Sequence, residues 1–125
     1  MGNDTHPTLG NGKICYIVLP ALDVEKSAAF YKEVFGWRIR TRSNGEVAFD
    51  DGVGEVSGTW VTGLPPASGP GLMIHIMVDD IHVAIAAILD NGGKLVQQVG
   101  ADAPEITAHF SDPAGNVLGI YQEPG

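Results

Sequence analysis

The apolar positions of this chain fall into short runs and one-sided stripes whose period switches at regular intervals. Residues 13–20 (KICYIVLP) form a β-branched, apolar run ending at a proline, the pattern of a buried strand. Asp23 then stands as a helix N-cap, and Val24, Ala28, Tyr31 and Phe35 recur at steps of four, three and four, an apolar helical stripe that Gly36 closes. Three strand-like runs follow over residues 38–42, 46–50 and 56–62, broken by Ser43-Asn44-Gly45 and Asp51-Gly52-Val53-Gly54. Residues 64–71 (LPPASGPG) have the composition of a linker. The pattern then starts again: a strand at 72–78, Asp80 capping a helix with Ile81, Ile85, Ile88 and Leu89 on its apolar face, Gly92-Gly93 as its stop, and strands at 94–99, 106–111 and 117–122, the last two joined by Asp112-Pro113-Ala114-Gly115-Asn116.

The second pass registers on the first. Adding 57 carries Asp23 onto Asp80 and Gly36 onto Gly93; adding 61 carries Asp51 onto Asp112, Gly58 onto Gly119 and Trp60 onto Tyr121. The chain therefore reads as a leader (1–12), a first βαβββ module (13–63), a linker (64–71) and a second module (72–125). A lone half of this size would leave one sheet face uncovered, so the two halves form one structural domain with a cleft between them.

Composition narrows the function classes. Hydrophobic residues are 44% and charged residues 18%, too apolar and too lightly charged for a disordered chain. Seven basic against 15 acidic residues give a net charge of −8, which argues against a nucleic-acid partner, since phosphate binding draws on clustered Lys and Arg. Arg38, Arg40 and Arg42 share one face of a strand and read as a solvated edge, and Asp50, Asp51 and Glu55 as a solvated acidic turn. Cys15 is the only cysteine, so no intrachain disulfide forms; no apolar run reaches membrane-spanning length, and residues 1–13 lack the apolar core of a secretory signal. These features suit a cytoplasmic protein with no membrane partner.

Asp23 with Ala28-Ala29-Phe30-Tyr31 and Val34-Phe35-Gly36-Trp37, then Val78-Asp79-Asp80 and Asp112-Pro113-Ala114-Gly115-Asn116-Val117, resemble the vicinal oxygen chelate superfamily of glyoxalase I, extradiol dioxygenases, fosfomycin resistance enzymes and bleomycin-binding proteins. The resemblance spans about residues 13–123. It implies an α+β fold in which two βαβββ modules form a curved, partly open β-barrel around a cleft, helices outside, commonly as a homodimer with modules paired within or between chains. In the metal enzymes of that superfamily a His lies seven residues before the capping Asp and a Glu seven after the turn Asp. Carried onto this chain, those positions are Tyr16, Met73, Gly119 and, by the internal repeat, Gly58. None suits a divalent ion, so the resemblance implies a member without the usual metal and no other cofactor.

Other candidates follow from the strand period. His75 shares a strand face with Met73 and Met77, and His109 stands three residues before Asp112; the two histidines are candidates for acid and base, with Tyr16, or for holding a displaced metal with Glu123. Trp60 and Tyr121, two residues beyond the paired glycines, are placed to stack on a planar ligand. Gly58 and Gly119 either leave room for a ligand or serve tight packing. Cys15, offset by one from Tyr16, is expected under the helix as inert packing. The leading expectation is a glyoxalase-like protein that binds a small, partly apolar or aromatic molecule in the inter-module cleft through Tyr16, Gly58, Trp60, Met73, His75, His109, Gly119 and Tyr121. The alternative is an enzyme: a metal-dependent lyase, isomerase or dioxygenase with a displaced site, or a metal-free acid/base catalyst. Superfamily members that bind drugs use an acidic surface toward cationic compounds, which the −8 charge permits.

Overall fold

A computed structural model describes residues 6–69 and 71–125; residues 1–5 of the leader and Pro70 of the linker lie outside the described residues. The elements run β1 (Tyr16–Pro20), α1 (Val24–Phe35), β2 (Arg38–Thr41), β3 (Val47–Asp50), β4 (Ser57–Val61), β5 (His75–Met77), α2 (Ile81–Asp90), β6 (Lys94–Gln97), β7 (Ile106–Ser111) and β8 (Val117–Gln122). Every element expected from the periodicity is present, in order. Asp23 caps α1 by accepting from the Lys26 N–H at 3.2 Å, and Asp80 caps α2 by accepting from His82 and Val83 at 3.0 and 3.2 Å. Gly36 ends α1 in the left-handed conformation, φ 71°, which a side chain would strain. The second helix stops one residue before its glycines: Asn91 is its cap, and its side-chain amide donates to Ala87 O at 2.8 Å.

Hydrogen bonding gives two four-stranded sheets, ordered β1-β4-β3-β2 and β5-β8-β7-β6, each with one parallel pair next to its crossover helix. The arrangement is α+β with two repeated modules, and the strands do not close into a continuous barrel. Helix α1 buries Ser27, Ala28, Phe30 and Tyr31, and α2 buries Ile81, Ala84 and Ile88. Leu89, expected on the α2 stripe, is 53% exposed because it lies a further 100° or so round the helix from Ile88.

The modules share one core on the helix side of their sheets. Phe30 and Phe35 of α1 reach Phe110 of β7 at ring-centroid distances of 6.0 and 5.6 Å. A buried polar clasp accompanies this contact. The Tyr31 hydroxyl donates to Asp112 Oδ2 at 2.8 Å, and Asn116 Nδ2 donates to Pro20 O at 2.7 Å while its Oδ1 accepts from Ala67 N–H at 2.8 Å. The Asp-Pro-Ala-Gly-Asn turn thus ties its own backbone, the first module and the linker together, and its buried polar atoms find partners as buried groups must.

Candidate functional site

Successive strand residues point to opposite faces, so the register sorts every candidate onto the helix side or the open side of its sheet. In the second sheet His75, Gly119 and His109 form one cross-strand row on the open side, and Met77, Tyr121 and Thr107 the next. In the first sheet Tyr16 pairs with Ser57 and Asp50, and Val18 with Thr59 and Ala48, also on the open side.

Gly58 and Trp60 fall on the other side, which corrects the expectation that they mirror Gly119 and Tyr121. Gly58 lies in the core, where a Cβ would sit 2.1 Å from Ile17 O and 2.3 Å from the Phe49 ring. Trp60 is 3% exposed and packs on Phe49 and Tyr31 at 4.8 and 5.9 Å. The reason is a turn of unequal length. In the first hairpin the Asp51 N–H bonds Val56 O, in the second the Asp112 N–H bonds Asn116 O. The first turn is one residue longer, so the repeat shifts from 61 before the turn to 60 after it. A one-residue slip exchanges the faces of a strand. The position equivalent to Gly119 is therefore Thr59, and that equivalent to Tyr121 is Val61.

Cys15 is also corrected: it precedes β1 and is exposed rather than packed under α1. Glu123 does not join the histidines; it accepts from the Tyr121 hydroxyl at 3.3 Å, and among the described residues no three His, Cys, Asp or Glu side chains converge as a metal site. The acidic turn is engaged by protein rather than left to solvent. Arg40 clasps Asp50 through Nε and Nη2 at 2.9 and 2.8 Å, and Ser57 Oγ adds a bond at 2.7 Å. The Arg40 bond, with help from Ser57, holds the Asp50 carboxyl below its usual range against the opposing effect of burial. Asp51 Oδ1 accepts from Glu55 and Val56 N–H, and Glu55 accepts from His6, Thr8 and Lys13.

Between the modules lies a cavity of about 300 Å³. Its first wall is Ile17, Leu19, Phe35, Trp37 and Phe49; its second is Ile74, Ile76, Met77 and Leu118. His75 and Asp51 border it as well, but the His75 ring turns to the open face over Gly119, and the Asp51 carboxylate accepts from the Glu55 and Val56 N–H groups. Of the eight binding residues expected from the sequence, His75 alone reaches this cavity. The others divide between the open faces (Tyr16, His109, Gly119, Tyr121), the segment before β5 (Met73, 37% exposed) and the core (Gly58, Trp60). The aromatic and aliphatic lining was read correctly as core periodicity in Phe35, but nothing local marks a core side chain that also borders a void.

Of the positions that the resemblance assigns to metal ligands, Tyr16 carries a phenol and Met73 a thioether outside any strand, and the register puts Thr59 rather than Gly58 at the place equivalent to Gly119. At Gly119 there is no side chain, and the space a Cβ would take is filled by the His75 imidazole, with Cδ2 at 2.4 Å and Nε2 at 2.5 Å from it. Gly119 thus makes room for His75.

Two modules of the order βαβββ, each one sheet with one crossover helix and joined through a shared helix-side core, define the vicinal oxygen chelate class of fold. The chain belongs to the glyoxalase-like domain family, whose model matches residues 16–121. It is 30% identical over 131 residues to a glyoxylase-like domain-containing protein of Didymella fabae, covering 92% of this chain and 97% of that one. It is also 30% identical over 131 residues to a probable lactoylglutathione lyase of Vibrio parahaemolyticus, covering 91% and 93%. Among solved structures, TnmS3, an antibiotic binding protein from Streptomyces sp. CB03234, superposes with a TM-score of 0.70 at 24% identity over 93% of this chain and 99% of that one. No helix among the described residues is long and apolar enough to cross a membrane.

Proposed function

We propose that this protein binds a small, partly apolar or aromatic molecule in the cavity between its two modules, without the metal that other members of the superfamily use. The observation that carries this reading is the cavity itself: about 300 Å³, at the small end of ligand pockets, and walled by apolar side chains from both modules. The lack of a His or Glu at Tyr16, Met73, Thr59 and Gly119 supports binding without that metal. The fold shared with an antibiotic binding protein is consistent with sequestration rather than turnover.

The test is direct. A planar apolar fluorophore such as 1-aminoanthracene should brighten on binding the protein, and Ile17→Trp, which fills the cavity from its first wall, should abolish the signal while the far-UV circular dichroism is kept. Unchanged binding in a folded Ile17→Trp variant would remove the cavity from the proposal. The same reading takes the protein as a cytoplasmic homodimer: Ile14, Tyr16, Val18, Leu72 and Met77 are large apolar side chains exposed on or beside β1 and β5, two of the four edge strands, and a second copy would cover them. Sedimentation velocity decides this, a monomer at micromolar concentration refuting it, and cell fractionation decides the location.

A further inference from the structure

We propose that His75 and His109 form a binding site for a late first-row divalent metal ion, copper(II) foremost, on the open face of the second sheet. His75 on β5 and His109 on β7 flank Gly119 of β8 in a single cross-strand row. With any larger residue between them the rings would be held apart by its side chain. The glycine forms a saddle over which the His75 ring leans, its Nε2 and Cδ2 occupying the place of the missing Cβ.

The glycine brings the two rings within reach of one shared ion. The imidazole centroids are 5.8 Å apart with the planes at 73°. With imidazole nitrogen to metal bonds of about 2.0–2.1 Å, two rings bound to one ion at an open angle hold their centroids roughly 5–6 Å apart. His75 is exposed and His109 half-buried, so an ion reaches them from solvent and water completes its shell. Asp102, fixed by Thr107 Oγ1 at 2.6 Å and Gln97 Nε2 at 3.1 Å, lies within electrostatic reach of both rings and favours a cation between them. Two imidazoles with no carboxylate in contact select nitrogen-loving ions over calcium or magnesium, and among those the order of affinity peaks at copper(II). The site stands apart from the cavity: both rings lie on the open face of the second sheet, whereas Ile74, Ile76 and Leu118 wall the cavity from its other face.

The experiment uses the full chain without an affinity tag, titrated with copper(II) alone and followed by calorimetry and electron paramagnetic resonance. The expected result is one ion per chain with nitrogen hyperfine splitting. Loss of groups that only support a ligand already costs about 10–100-fold in affinity, so His75→Ala and His109→Ala should each lose at least about tenfold. A His6→Ala/His82→Ala variant should bind as the unaltered chain does. Gly119→Ala should weaken binding too, since its methyl group displaces the His75 ring, with circular dichroism showing that the sheet persists. Equal binding in the His75→Ala/His109→Ala variant, loss in His6→Ala/His82→Ala, or no copper binding by the unaltered chain would each overturn the proposal.

Discussion

Tyr31 links the two modules from within α1. It is a helical residue whose ring stacks on Trp37 at 4.5 Å, while its hydroxyl crosses to the other module and donates to Asp112. Burial pushes its phenol well above the ordinary tyrosine range, and the Asp112 charge adds to the effect. Removing the hydroxyl leaves a buried carboxylate one donor short, although Ala114, Asn116 N–H and the Asn116 amide still bond it. Tyr31→Phe should therefore destabilise the protein by about 1–3 kcal/mol in urea denaturation, without loss of the fold. In the sequence Tyr31 was legible as a core position of an apolar stripe. Its bond to Asp112 was not, because partners 81 residues apart are joined only by the packing of α1 against the second module.

At the scale of elements, the strands, helices and both aspartate caps follow from local pattern, whereas the facing of β4 does not. A repeat that aligns Asp51 with Asp112 aligns Gly58 with Gly119 as well, but one additional residue in the first turn puts the first glycine under Phe49 and the second under a histidine. The same hairpin carries the pH dependence of the first sheet. Asp50 of β3 is held ionised by Arg40 of β2 and by Ser57 of β4, so its carboxyl titrates lower in the folded protein than in the unfolded chain. A depressed folded value means that the unfolded chain takes up the proton first as pH falls. The stabilisation is complete at neutral pH, begins to be lost as acid reaches the ordinary carboxylate range at about pH 4, and goes on falling until the folded carboxyl, which titrates lower, is protonated too. Asp50→Asn should lower stability at neutral pH and flatten its fall between there and acid, as read from urea midpoints over the pH series; an unchanged slope would show that the cross-strand pair contributes nothing. The pair is solvent-facing, which keeps the effect small and sensitive to salt.

For the whole molecule, the sequence by itself determined the class: two βαβββ modules, their order and their caps. These are legible because amphipathic period, turn chemistry and internal repetition are local properties of a chain, and the motifs recur at fixed spacing. The tertiary structure alone decided where the cavity lies and which side chains meet. Ile17, Leu19, Trp37 and Leu118 read as ordinary core residues until the two modules pack and leave a void between them. The sequence already paired His75 with His109 as candidates, but only the sheet shows that β8 places Gly119 between their strands and that Glu123 stays away from them. The physical reason is common to both. Pattern specifies which face of an element is apolar, but the distance between two faces is set by how the elements dock, and that docking sums contacts spread over the whole length of the chain.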